Sequence, residues 1–427
     1  NDFNFIEADT FELKQIQKRF YQDLQLKPTF NSFKGRILTS SAVIDTKTKK
    51  NLYLMTTIRR GEYYLLGMVG KDENTASKFF ESFKLTSTKD QKPFTTVVDT
   101  ALFFSTKSTV KPPKFVESST NYYTGAPKRK SYDPFHKKTV YQNQNGEAVS
   151  IELNKSHDFL MFRSLDSAWA LRKKLYAHKK YNVIREETKT SPNGYHELQM
   201  TLSDTASTRG ILVKNILKDG LLYELKAVVD TIESPSTFIS TFFDNFVPKD
   251  TVIGRNLFED KVPEFFSALT TNDSIALDGY RFIKFENKHV NALKKHIIEF
   301  DLSKGERQIQ LHLIRELAKL KNVDLTEFYK SFYLKSYNNS TAQAVLLQEI
   351  AKKSNDSSTK LLLELMETDL PLLSNTFNIS LIFKPYRENL ELAKKLYPNL
   401  LDYSTIPEYK EPIFSLLSEL LIKDVIK

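Results

Sequence analysis

The 427-residue sequence predicts an α+β protein: two sheet-plus-helix modules followed by an all-α domain of irregular, HEAT-like helical repeats. Three observations lead there. A strand–turn–strand–helix segment occurs twice, and a polar, basic stretch separates the two occurrences. Beyond residue 250 the apolar period changes from two to three-and-four.

The duplication is clearest between Asn51–Phe83 and Ile211–Phe246. In each, a β-patterned run reaches a basic turn with glycine, Arg59-Arg60-Gly61 in the first and Lys218-Asp219-Gly220 in the second. Tyr64 and Tyr223 each stand three residues beyond their glycine, and both copies close on a Phe-Phe-acid-x-Phe cluster, ending at Phe83 and Phe246. The match extends upstream. Gly35 and Gly61 are 26 residues apart, as are Gly194 and Gly220, and Asp45-Thr46 answers Asp204-Thr205.

Module 1 spans residues 1–88. Its elements are a strand-like Asp2–Ile6 and an amphipathic helix over Phe11–Leu24 with Phe11, Leu13, Ile16, Phe20 and Leu24 as its core face. Strands before and after Gly61 follow, then a short helix over Asn74–Phe83 carrying Phe79, Phe80 and Phe83 on one side. Residues 89–136 read as a linker whose strand-like Thr95–Thr106 packs on module 1. It runs on through Lys111-Pro112-Pro113-Lys114 to the basic cluster Lys128-Arg129-Lys130.

Module 2 spans residues 137–250. It opens with a hairpin, Lys138–Tyr141 and Ala148–Leu153, about an Asn145-Gly146 turn of the type I′ kind. The strand-like Asp158–Phe162 and a helix over Ala168–Tyr176 come next, where Lys173-Lys174-Leu175-Tyr176 matches Lys18-Arg19-Phe20-Tyr21. The module ends in a helix capped by Ser236 whose Phe238, Phe242, Phe243 and Phe246 point to core. Copy one has no counterpart of the opening hairpin, so module 1 is expected to lack its N-terminal part, with more chain upstream of Asn1. Residues 251–427 form the helical domain, with apolar spacing such as Ile309, Leu313, Leu317 and Leu320.

The strand–strand–Gly–strand–helix pattern, with GEYYLL at Gly61–Leu66 and the closing FFESF and FFDNF clusters, resembles the PsbP-like modules of bacterial envelope proteins over residues 1–88 and 137–250. The resemblance implies small binding and assembly-accessory modules and carries over no catalytic residue. Two such modules before a helical array are similar to accessory subunits of outer-membrane machines in the Bacteroidota, such as a periplasmic plug or adaptor of the type 9 secretion translocon. What this implies is a non-enzymatic protein-interaction scaffold in the periplasm or cell envelope. Its partners would be proteins, an outer-membrane β-barrel complex among them, with peripheral membrane association allowed. The alternative is a hydrolase acting on an envelope polymer, with a carboxylate site between the modules.

Composition narrows the chemistry. The net charge of +10 comes from lysines mixed with acids along the whole chain, which points to ordinary solvation and not to nucleic acid. The absence of cysteine excludes disulfides, zinc–thiolate sites and thiol nucleophiles. No GxxxxGK[ST], GxGxxG or GxSxG motif is present. Among seven histidines, His296 and Glu299 have metal-sharing spacing, but no HExxH accompanies them, and His157-Asp158 with His196 lacks a nucleophile. No catalytic residue, metal or cofactor is therefore expected, and no apolar run is long enough to span a bilayer as a helix. The candidate partner-binding residues are the aromatic run Phe328, Tyr329, Phe332, Tyr333 and Tyr337 and the basic cluster Lys128, Arg129 and Lys130. The aromatics suit either array core or an exposed groove; the basic loop suits a partner, anionic headgroups or plain solvent.

Overall fold

The computed structural model describes residues 7–85, 92–114, 130–178, 181–204, 206–299 and 307–426. The protein divides into two compact units, Asn1–Glu259 and Asp260–Lys427, the first sheet-rich and the second helical. The α+β class with a helical C-terminal domain is therefore the observed one.

The first unit begins with α1 (Asp9–Asp23) and the antiparallel meander β1 (Thr29–Lys34), β2 (Ile37–Asp45), β3 (Lys50–Arg59) and β4 (Glu62–Gly70), closed by α2 (Glu73–Glu81). Two hairpins follow, β5 (Thr95–Asp99) with β6 (Phe104–Ser108), and β7 (Phe135–Gln142) with β8 (Ala148–Lys155). The meander then recurs: α3 (Leu165–His178), β9 (Asn182–Thr190), β10 (His196–Ser203), β11 (Arg209–Lys218), β12 (Leu221–Asp230) and α4 (Thr237–Asp244). A short β13 (Val247–Pro248) pairs with β6.

The two copies share their register. Arg59 faces Glu62 across the β3–β4 turn, and Lys218 and Leu221, each 159 residues further on, face one another across the β11–β12 turn. One difference is large. In copy two, β8 pairs antiparallel with β12, giving the order β7-β8-β12-β11-β10-β9; in copy one, β4 ends the sheet among the described residues.

Helix α1 buries Asp9, Leu13, Gln17 and Tyr21, a four-residue stripe, while Phe11, Phe20 and Leu24 are exposed. This corrects the expected core face. The sheet takes up two donors on the stripe: the Gln17 amide nitrogen donates to Leu38 O and Thr56 Oγ1, and the Tyr21 hydroxyl bonds Ser40 Oγ. The predicted type I′ turn is corrected too. β7 and β8 separate at Gln142 and Ala148, and Asn143 Oδ1 closes the intervening loop by accepting the N–H groups of Asn145 and Glu147 at 3.0 Å. Only Gly146 of the Asn-Gly pair has positive φ, whereas type I′ needs both.

The linker assignment changes as well. β5 and β6 belong to the second copy, because Val97, Leu102 and Phe104 share one core with Tyr141, Ile151, Phe242 and Phe246. Phe104 stacks on Phe246 at 4.5 Å, Thr106 Oγ1 donates to Phe242 O, and Tyr141 donates to the buried Asp99 carboxylate at 2.7 Å. Ser236 caps α4 as expected, accepting from Ile239 N.

The second unit runs through α5 (Val262–Thr270), α6 (Ser274–Gly279), α7 (Val290–Glu299), α8 (Arg307–Ala318), α9 (Thr326–Lys335), α10 (Ser340–Ala351), α11 (Asp356–Thr368), α12 (Thr376–Glu388), α13 (Leu390–Leu396), α14 (Leu400–Tyr403) and α15 (Pro407–Ile422). Packing alternates: α8 meets α10, α10 meets α12 and α12 meets α15, while α9, α11 and α13 follow one another alongside. That is an irregular array of paired helices. Helix α10 is buried from Ala342 to Ala351 and is apolar nearly all round, as a central helix must be. Its two buried glutamines donate across to neighbouring segments, Gln343 to Asp369 Oδ2 and Gln348 to Asn378 O.

Within the first unit the modules meet through a set of carboxylates, of which Asp230 takes the most bonds. Asp230, at the end of β12, takes a bidentate pair from Arg36 at 2.6 and 2.7 Å and a bond from Arg60 N at 3.0 Å. It also accepts the N–H groups of Ile232 and Glu233. Burial by itself would push the Asp230 carboxyl up, but the Glu233 and Ile232 N–H groups, the Arg36 guanidinium and the Arg60 N–H outweigh it and hold it below its ordinary 3.8.

Arg36→Ala, which strands a buried charge, is expected to lower the unfolding free energy at neutral pH by about 3–5 kcal/mol in chemical denaturation. Because the Asp230 value is depressed on folding, its contribution is present above about pH 4 and is lost as the pH falls through the folded value. Arg36→Ala should flatten that acid limb of the stability curve.

Candidate partner-binding surfaces

The joint between the modules is polar and tightly drawn. Glu233 sits within ion-pair distance of Arg36, Arg59 and Arg60, at 3.3, 3.4 and 3.5 Å. At the other side of the joint Asp9 N donates to Ala206 O, and Thr208 N donates to the Asp9 carboxylate at 2.9 Å. Tyr63 donates to Glu12 at 2.6 Å and accepts from Arg209; burial, then the Glu12 bond, push its hydroxyl pKa up. Gly61 has φ +80°, and a Cβ there would lie 2.7 Å from Val228 Cγ1. Only glycine allows both the turn and the approach of the modules.

Beside this joint lies a cavity of about 480 Å³, lined by Arg60, Glu62, Tyr63, Glu147, Arg209 and Val228 among others. It is the cleft in which a carboxylate site between modules would fall. Its two carboxylates are held by their own hairpins: Glu62 accepts from Tyr64 and Glu147 from Asn143, at 3.1 and 2.7 Å.

Beyond the cleft, strand β4 and helix α2 form the open side of module 1. The equivalent side of module 2 is closed: Phe242, Phe243 and Phe246 are fully buried beneath Tyr141, Val149, Ile151 and Leu153 of the β7–β8 hairpin. Their counterparts are not. Phe79 is 44% exposed, and Phe80 and Phe83 are half-buried. Phe83 has only a tilted contact with Tyr64, at 5.5 Å, in place of the Phe104–Phe246 stack.

The aromatic run predicted for the helical domain divides. Tyr329, Phe332 and Tyr333 are buried, with Tyr333 donating to Asp369 O at 2.6 Å. Phe328 is half-buried, stacked on Phe332 and covered by Lys294 Nζ at 5.6 Å from its ring. Tyr337 is 70% exposed. Five rings in one groove are thus not what the structure places at the surface; three of them hold the array together. A cavity of about 180 Å³, lined by Phe332, Ser336 and Asn338, lies beside them. Of the basic cluster, Lys128 and Arg129 lie outside the described residues. Lys130 is exposed, its N–H bonded to Asp133 and its ammonium over the Tyr132 ring at 5.3 Å.

The histidines are dispersed. His296 stacks on Phe266 at 4.0 Å and bonds Ala292 O; His157 is buried and accepts from Phe159 N; His196 bonds Thr190. His289 bonds Asp260, which burial would raise but which Lys288, His289 and the Val262 N–H hold down at about 2. Burial holds the His312 imidazole below its ordinary value. Among the described residues no group of three or more His, Cys, Asp or Glu is placed to hold a metal ion, and no helix is long and apolar enough to cross a membrane.

The chain matches no protein-family model and no curated protein.

Sequence reasoning missed Arg36, Asp230 and the open β4 edge. The signal for the edge was present in Tyr63–Val69, seven residues without a charge and apolar on both faces.

Core and surface aromatics separate by stability. Tyr333→Phe should cost about 1 kcal/mol and Tyr333→Ala about 3–5, while Tyr337→Ala should stay within about 0.5 kcal/mol in urea unfolding.

Proposed function

We propose that the chain is a non-catalytic protein-interaction scaffold of a bacterial cell envelope, an accessory subunit that joins partner proteins. The observation that carries this reading is the contrast between the copies. Module 2 seals its α4 phenylalanines under two hairpins, and among the described residues no hairpin covers the corresponding Phe79, Phe80 and Phe83 of module 1. A contiguous apolar face of this kind marks a contact surface more often than scattered apolar residues do. The array of paired helices adds extended surface of the sort that binds protein segments. The module resemblance supports the envelope setting and, within it, the role of periplasmic plug or adaptor at an outer-membrane β-barrel machine such as the type 9 secretion translocon.

A hydrolase acting on an envelope polymer would use the inter-module cleft. We favour the scaffold because Glu62 and Glu147 are each engaged by a neighbour on their own hairpin. Isolation of the natively produced protein from detergent-solubilised membranes is expected to bring down a β-barrel complex, and Phe79→Asp should reduce that yield several-fold. A monomer that hydrolyses an envelope polymer, with activity lost in Glu62→Gln or Glu147→Gln, would end the proposal.

A further inference from the structure

Independently of the scaffold reading, we propose that the first unit holds a binding site for an acidic saccharide, in the cavity between the open end of the β5–β6 hairpin and the β7–β8 loop. The cavity measures about 550 Å³, with Lys92 and Lys111 on one side and Gln142, Gln144 and Asn145 on the other. Cavities of this size ordinarily offer apolar walls with a few polar groups set in them. Here Pro93 and Val110 are the apolar residues; the rest of the described lining is two lysines, two threonines, two asparagines and two glutamines. A ligand that fills it must be polar nearly all round.

Both walls are fixed by buried side chains. Asn143 closes the β7–β8 loop: its Oδ1 accepts the N–H groups of Asn145 and Glu147, and its amide nitrogen donates to Glu147 Oε2 at 2.7 Å. The loop so held displays the side-chain amides of Gln144 and Asn145, which bond nothing among the described residues. Opposite, the buried Ser108 Oγ accepts from Val110 N at 3.0 Å and turns the chain out of β6. The walls are tied to each other as well. Tyr141, one residue before Gln142, donates to Asp99 of β5, and Lys137 Nζ donates to Ala101 O at 2.9 Å. Groups already in place lose little freedom when a ligand arrives.

The charge around the cavity has one sign. Residues 92–114 carry Lys92, Lys107, Lys111 and Lys114 against Asp99 alone, and Asp99 is buried, bonded to Tyr141 and to the N–H groups of Ala101 and Leu102. Glu147 is turned to Asn143 and lines the inter-module cleft instead. Among the described residues neither Lys92 nor Lys111 has an ion-pair or hydrogen-bond partner. An ammonium only donates, so two of them without an acid call for a carboxylate or phosphate. Amides and hydroxyls both donate and accept, as sugar hydroxyls do. Nucleic acid would use stacking rings, and no aromatic residue lines the cavity among the described residues. A uronic acid or a phosphorylated sugar satisfies both the charge and the amides.

The test titrates the full chain in a calorimeter with a galacturonate tetramer and with glucose 6-phosphate, each beside its neutral counterpart, the carboxyl-reduced tetramer and glucose. At least one acidic probe should bind, and its neutral counterpart about tenfold more weakly. Lys92→Gln and Lys111→Gln should each weaken binding several-fold and flatten its dependence on salt. Asn145→Ala should weaken it at unchanged salt dependence, and Lys107→Gln, outside the cavity, should leave it as it was. All four variants should melt as the parent does, since these side chains lie outside the core. Failure of both acidic probes to bind overturns the inference, as does binding that the Lys92→Gln, Lys111→Gln double variant retains. Inorganic phosphate held as tightly as glucose 6-phosphate would reduce the site to one for a bare anion and overturn it too. Capture by phosphatidylglycerol vesicles that the double variant loses, without binding of either saccharide, would assign the lysines to a lipid surface and equally end the proposal.

Discussion

The joint of the first unit is drawn together most tightly at the buried Asp230 carboxylate. Asp230 gathers five hydrogen bonds, three from module 1 and two from its own turn, and Arg36 reaches it through both terminal nitrogens, Nη1 and Nη2. A buried pair is weak as a source of net stability but costly to break, and its geometry admits few alternatives. Here it fixes the β1–β2 and β3–β4 turns of module 1 against the end of β12. The turn ends of the first sheet are consumed by the joint, and the side formed by β4 and α2 is left over.

The duplication was legible because turns carry distinctive residues. Gly61 and Gly220 lead β4 and β12 out of equivalent hairpins, although for different reasons. Gly61 needs positive φ and room for Val228; a Cβ at Gly220 would instead press on the backbone of Gly254 and Arg255 at 3.0–3.2 Å. What sequence could not show was which contacts satisfy polar groups at a distance. Gln17 looks like a surface residue and is buried because two acceptors in the sheet wait for its amide. Phe11 and Phe20 look like core and lie outside it. Asn145-Gly146 resembles a tight turn, but the side chain two residues before it closes a wider loop first.

The same limit applies to the helical domain. Its helical character was legible where apolar spacing is clean, as at Ile309, Leu313 and Leu317 of α8. Proline interrupts that spacing elsewhere, with Pro385 inside α12 and Pro407 and Pro412 in α15. The aromatic run on α9 was visible as a run, but its division into core and surface depends on Asp369 meeting Tyr333 and Gln343, residues far apart in sequence. The open edge of module 1 belongs to a third kind, legible only by comparing one copy with the other.

Amide exchange in the free protein bears most directly on the central claim, that one unit occurs twice and that, among the described residues, β8 covers β12 while no strand covers β4. Residues 62–70 and 221–230 are equivalent in fold and differ in whether a strand lies outside them. The account predicts that roughly half the amides of 62–70, those pointing away from β3, exchange far faster than their counterparts in 221–230. Equal protection in the two strands would contradict it.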